Sequence, residues 1–259
     1  MAFKGLTEAL IQQYEEDGYI IIRSLFDPEE MDLLIRKAKA DPVFLDPWIR
    51  KDAAGRVSKL KLWNHPPDSL YGLFPRCERM VGIAEKLLGG EVYHYHTKMM
   101  LKEPRTGGAW EWHQDYGYWY NNAVLYPLLL SSMIAVDSAT RENGCLAVLK
   151  GSHQIGRINH GPVPGGQTGA DLERVEQAKK RHELVHVELG PGDVVVFHCN
   201  LLHASAANES DKSRWSLICC YNAARNDPYR EIEHPCYTPL EKVPDSAIKE
   251  QGRKELQPA

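Results

Sequence analysis

Apolar positions recur with helical spacing over the first ninety residues and with strand spacing after Gly90. Leu10, Ile11 and Tyr14 mark one face of a first helix, which Thr7 can cap and which the Asp17-Gly18 pair ends, since glycine suits the left-handed closing residue. "YIIIRSLF" predicts a short buried strand. A second helix follows in "DPEEMDLLIRKAKA", with Asp27 as N-cap, Pro28 at its first position and Glu30 placed for a capping box. The stretch 41–67 has no regular period. Pro75 to Leu88 predicts one further helix, apolar at Met80, Ile83, Ala84 and Leu87 and stopped by Gly89-Gly90.

In "EVYHYHTKMMLKEP" the period falls to two. Strict alternation puts His94, His96, Lys98 and Met100 on one side and Tyr93, Tyr95, Met99 and Leu101 on the other. "LLSSMIAVDSA" and "CLAVL" are joined through "TRENG", where Asn143-Gly144 signals a tight turn. "HELVHVEL" and "DVVVFH" flank Gly190-Pro191-Gly192, and "LLHASA" and "RWSLICCYN" flank the polar "NESDKS". Many short strands with hairpin turns predict an α+β, mainly β protein: a double-stranded β-helix, the cupin-like jelly roll, with N-terminal helices packed on it. A single domain over 1–259 is expected, with a helical part at 1–90, the jelly-roll core at 91–225 and a tail at 226–259, polar and loosely held after Pro239. Residues 151–181 interrupt the core as an insertion, either a lid or a decoration.

Composition narrows the function. A net charge of -4 and a pI near 6.3 leave no clustered cations for a phosphate backbone, so no nucleic-acid partner is expected. No apolar run is long enough for a membrane span and the first residues lack a secretory pattern, which favours a cytoplasmic protein. The six cysteines include no C-x-x-C pair and read as reduced, partly buried thiols.

Within "EWHQDYGYWY", His113 and Asp115 stand at i and i+2, so an extended segment would present both on one side. Such a pair is a weak signal: with 11 histidines and 35 acidic residues in 259, chance supplies about 1.5 of them, and His186 with Glu188 is another. The segment "DVVVFHCNLLHASA" adds a third imidazole, His198 or His203. Two histidines and one carboxylate with open coordination positions suit a non-haem Fe(II) oxygenase. A structural zinc site would instead close four ligands, often thiolates.

At these residues the sequence resembles the phytanoyl-CoA dioxygenase family of Fe(II)- and 2-oxoglutarate-dependent oxygenases. The likeness runs from "EEDGYIII" through "GGAWEWHQDYGYW" and "RENGCLAVLKGSH" to "LLHASAANESDKSRW". It implies iron ligation by His113, Asp115 and His203, leaving His198 a structural role. It also implies 2-oxoglutarate contacts at Ser205 and Arg214, with Lys98 added, and turnover with O2 to succinate and CO2. Ser205 lies at i+2 from His203, and Arg214 opens the next strand with Ser216 and Ile218 marking its inward face. Met133 stands where some relatives carry a tryptophan near the cosubstrate. Asp115 favours hydroxylation over halogenation, because halogenating relatives have a small residue there. The aromatic run of Trp110, Trp112, Tyr116, Tyr118, Trp119 and Tyr120 could enclose a cationic group or simply pack the barrel. His94 and His96 could bind an anionic end. The expected substrate is a small polar metabolite; the sequence carries no signal of oligomeric state. A cupin-type metalloenzyme that does not use 2-oxoglutarate, and a metal-free binding barrel, are the alternatives.

Overall fold

The computed structural model describes residues 6–257. Helix α1 (Glu8–Asp17) is capped by Thr7, whose hydroxyl accepts from the Leu10 amide, and Gly18 closes it at φ 79°. Strand β1 (Tyr19–Ile22) leads to α2 (Pro28–Ala40), where the Asp27–Glu30 capping box forms as the spacing predicts. The periodic part of the chain contributes β4 (Val92–Lys102), β5 (Trp110–His113), α5 (Asp115–Trp119), β6 (Leu129–Ala135) and β7 (Leu146–Leu149). After the insertion come β10 (Leu184–Val187), β11 (Val194–His198), β12 (His203–Ser205) and β13 (Arg214–Ala223).

With β2 (Trp48–Lys51) and β3 (Val57–Trp63) from the earlier part of the chain, antiparallel pairing sorts the strands into a seven-stranded sheet, β1-β11-β6-β13-β4-β3-β2, and a four-stranded sheet, β10-β7-β12-β5. The two sheets face each other as a jelly roll. Met133, Val195, Phe197, Ile218 and Cys220 from the large sheet meet Leu146, Val148 and Val187 from the small one. The outer face of the large sheet is covered by helices α2 and α4 (Glu78–Leu88), with Leu34, Met80 and Ile83 packed on Leu130, Ile134 and Leu217. Both faces of the large sheet are therefore apolar, which is why "DVVVFH" reads as an unbroken hydrophobic run and not as an alternation.

Four features depart from the sequence pattern. The aperiodic 41–67 stretch contains a hairpin, β2 (Trp48–Lys51) with β3 (Val57–Trp63), that extends the large sheet at its edge; β2 is exposed throughout, so no burial period marks it. The helix expected over Pro75 to Leu88 is broken: α3 (Leu70–Leu73) and a 3-10 turn at Phe74–Arg76 precede an extended Cys77, and only then does α4 begin. Its start is fixed from a distance, because the Glu78 and Arg79 amides donate to the Val243 carbonyl and the Asp245 carboxylate, at 3.1 Å each. The tail is accordingly not loose. Helix α7 (Ala247–Glu255) docks on α2 with Ile248 fully buried, and Gly252 lies against Leu33. Lastly, a β-bulge interrupts β4: Cys220 pairs with His96 but Tyr221 pairs with His94, leaving Tyr95 unopposed. His96, Lys98 and Met100 face the small sheet as alternation predicts. His94 is thrown to the other side, beside Thr97, so it does not share a wall with His96.

The insertion folds as a hairpin, β8 (His160–Pro162) with β9 (Thr168–Ala170), followed by α6 (Leu172–Lys179), which packs Val175 and Ala178 on Leu149 of the small sheet and on Leu202 just before β12.

Candidate metal centre and keto-acid pocket

His113 ends β5 and His203 opens β12, and the two are direct cross-strand partners. Pairing on one face brings their rings to a centroid separation of 4.0 Å. Asp115 arrives differently from the expected i, i+2 alternation, because the extended chain stops at Gln114 and Asp115 is the first residue of α5. Gln114 fixes that turn. Its fully buried amide donates to the Gly156 and Asn200 carbonyls at 2.7 Å each and accepts from the Ile158 amide at 2.7 Å. The Asp115 Oδ1 then lies 3.8 Å from His113 Nε2 and 3.9 Å from His203 Nε2.

Hydrogen bonds fix which atoms face inward. His113 Nδ1 is 2.8 Å from the Glu111 carbonyl and His203 Nδ1 is 2.9 Å from the Leu201 carbonyl. A carbonyl only accepts, so each Nδ1 carries the proton and each Nε2 presents a lone pair to the centre. Asp115 Oδ2 accepts from the Ser131 hydroxyl at 2.6 Å, which leaves Oδ1 free. Burial pushes both imidazoles below their ordinary range, with His203 adding to the effect on His113, so they stay neutral. Burial alone would raise the Asp115 carboxyl; His203 in its protonated form, Lys98 and the Ser131 hydrogen bond act the other way, and the net effect holds the carboxyl below its ordinary range. Two neutral imidazoles and one carboxylate, with no fourth protein ligand, fit Fe(II) with positions left for exogenous ligands. Among the described residues this is the one group of three His, Cys, Asp or Glu side chains close enough to share an ion.

His186 is absent from that group, and so is His198, whose ring packs beside Tyr14 and His153 and accepts from the Asn200 amide. A pocket adjoins the three side chains, walled by Met133, Leu146, Phe197 and Ile218 and ending at Ser205 and Arg214. Arg214 is buried; two of its nitrogens donate to the Ser216 hydroxyl (3.1 Å) and the Gly144 carbonyl (2.9 Å), and its Nε has no partner. Burial pulls its guanidinium down to about 10, still cationic at neutral pH. A buried cation with an unused N–H beside a hydroxyl fits the distal carboxylate of 2-oxoglutarate.

The phytanoyl-CoA dioxygenase (PhyH) profile matches residues 14–216. The chain belongs to this family. It is thus a non-haem iron, 2-oxoglutarate-dependent dioxygenase of the hydroxylase type. Among its relatives, the L-proline trans-4-hydroxylase of Streptomyces griseoviridis is 31% identical over 195 residues, covering 70% of this chain and 73% of that protein. The ectoine dioxygenase of Stutzerimonas stutzeri is 28% identical over 233 residues, 84% of this chain and 77% of that one. The fold is shared with EctD from S. alaskensis, solved with 2-oxoglutarate and 5-hydroxyectoine, at a TM-score of 0.76 and 24% identity over 93% of this chain and 88% of that one. It is also shared with the epimerase SnoN, solved with Fe3+, alpha ketoglutarate and nogalamycin RO, at a TM-score of 0.72 and 20% identity over 92% and 94% of the two chains.

In this family member a second, larger chamber of about 750 Å³ adjoins His113 and Asp115. Trp110, Tyr118 and Trp119 line it; the other aromatic residues of the run do not. Trp112 packs beneath Lys179, the Tyr116 hydroxyl donates to the Leu125 carbonyl at 2.6 Å, and Tyr120 lies exposed under Arg157. Lys98 lines both spaces. His96 is buried in the chamber wall with neither ring nitrogen partnered. The insertion supplies the rim: Gln167 accepts from the Glu111 amide and donates to the Lys51 and Ala109 carbonyls, and the Tyr118 hydroxyl donates to the Thr168 carbonyl. Gly117 is required there, since a Cβ would stand 2.1 Å from the His160 ring.

Gln114, Ser131 and Lys102 were not legible as site residues, nor was His160, whose Nε2 accepts from the Gln114 amide at 2.9 Å. Lys102 had a faint signal, as the next even-numbered position after His96, Lys98 and Met100 on the inward face of β4.

Proposed function

We propose that this dioxygenase hydroxylates a small polar metabolite bearing a carboxylate, holding Fe(II) through His113, Asp115 and His203 and the far end of 2-oxoglutarate through Ser205 and Arg214. The observation that carries the reading is the convergence of two inward Nε2 lone pairs and one free carboxylate oxygen beside a buried arginine with an unused N–H. When bound, the iron with 2-oxoglutarate and dioxygen supplies the oxidising power, giving succinate, CO2 and a hydroxylated C–H position. The chain's own residues bind, aim and exclude water. Met133, Phe197 and Ile218 keep the keto-acid pocket apolar around its polar end. Lys98 stands between the two spaces and offsets the negative charge that a keto acid brings toward Asp115.

The substrate class rests on the chamber's charge. Lys98, Arg50 and Lys51 line it, and Asp115 is the one acidic side chain there. L-Proline and ectoine, on which the two relatives act, are small carboxylates. Trp110, Tyr118 and Trp119 offer faces for the apolar part of such a molecule.

The reading is tested by anaerobic addition of Fe(II) and 2-oxoglutarate to the metal-free protein. A visible charge-transfer band that needs both components is expected. Its absence in folded protein would favour a barrel that does not use 2-oxoglutarate.

A further inference from the structure

Lys102 is the last residue of β4 and pairs directly with Arg214, the first residue of β13. It is 1% exposed, and its ammonium meets three acceptors: the Ser205 hydroxyl at 2.7 Å, the Ser205 carbonyl at 3.4 Å and the Ala206 carbonyl. Three acceptors match the three donors of a charged ammonium, even though burial and the neighbouring Arg214 press its proton affinity downward. Among the described residues no carboxylate pairs with it. The acid that acts on it from farther away, Asp52, already accepts from the amides of Ala54, Arg56 and Ala109.

A serine hydroxyl has one proton and two lone pairs. Lys102 is a donor only, so it takes a lone pair of Ser205 and leaves the hydroxyl proton to be given elsewhere. Ser205 lines the keto-acid pocket together with Arg214, whose Nε–H has no partner. We propose that Lys102 is a positioning residue for cosubstrate selection: it commits Ser205 to donate into the pocket, so that Ser205 and Arg214 together demand a carboxylate at that end. The inference rests on the reading of Ser205 and Arg214 as the carboxylate end of the pocket, and it concerns preference for a keto diacid over a keto monoacid.

The test measures anaerobic binding of 2-oxoglutarate and of 2-oxobutyrate, which lacks the far carboxylate, to the Fe(II)-loaded full chain by calorimetry. The variants are Lys102→Met, Lys102→Gln (which keeps a donor for the Ala206 carbonyl), Ser205→Ala and the Lys102→Gln/Ser205→Ala pair. Loss of a charge-assisted hydrogen bond is expected to weaken 2-oxoglutarate by about 10- to 100-fold in whichever Lys102 variant folds, with 2-oxobutyrate unchanged. The double variant should lose less than the product of the single losses. Equal weakening of both keto acids, unchanged 2-oxoglutarate binding or multiplicative losses would overturn the proposal. Failure of the unsubstituted chain to bind either keto acid would instead sink the reading of the site itself.

Discussion

Asp115 divides its work between its two oxygens: Oδ2 takes the Ser131 hydroxyl and Oδ1 faces the imidazoles. Each histidine does the same with its two nitrogens, one on a backbone carbonyl and one turned inward. Groups that orient a metal ligand typically change metal affinity by 10 to 100-fold when removed. Ser131→Ala is therefore expected to weaken Fe(II) by about that factor in an anaerobic competition titration against a chelator, with 2-oxoglutarate still binding once iron is saturating. Unchanged affinity would show that the Ser131 bond contributes nothing to holding the carboxylate. At this scale the sequence was informative where chemistry is local. His113 and Asp115 carry their own spacing and Ser205 lies two positions from His203, whereas the keto-acid roles of Ser205 and Arg214 are what the family resemblance implies. Ser131 and Lys102 act through side chains distant in sequence; nothing near Ser131 marks it, and only the inward alternation of β4 hints at Lys102.

Among the elements, α1, α2 and the strands after Gly90 were legible because their caps and turns lie within a few residues of them. The start of α4 was not, since the tail supplies the acceptors for its first amides. The bulge in β4 was invisible for a related reason: "YHYHTKMM" alternates in sequence, but its register is set by the pairing with β13, so His94 and His96 part company. Helix α7 looks polar because only one narrow stripe of it, centred on Ile248, meets α2 and α3. Truncating a fully buried aliphatic side chain costs about 2 to 5 kcal/mol. Ile248→Ala should lose stability of that order in chemical denaturation while the folded variant keeps unaltered 2-oxoglutarate affinity, because α7 packs on the helical face of the large sheet and lines neither space around the metal centre. A smaller stability loss would mean that the tail is held by its surface ion pairs to Asp27 and Glu29 and not by burial.

For the molecule as a whole, two sheets closing on one apolar layer leave an open end where β5, β12 and α5 bring the three polar side chains together. The class of chemistry was readable from the sequence because the metal-centre residues sit in two short motifs at the ends of strands of a periodic core. The substrate was not. Its chamber is walled by the β2–β3 hairpin, the insertion and His234 of the C-terminal segment, which stacks on Tyr95, and these have no shared period. No helix among the described residues is long and apolar enough to cross a membrane. The measurement that bears most directly on this arrangement is an anomalous difference map at the iron edge, from crystals of the chain grown anaerobically with Fe(II) and 2-oxoglutarate. A single iron peak in contact with His113 Nε2, His203 Nε2 and Asp115 Oδ1, with the far carboxylate of the keto acid against Arg214 and Ser205, is the predicted result. A peak bound elsewhere, or one that recruits a fourth protein ligand in place of the keto acid, would contradict it.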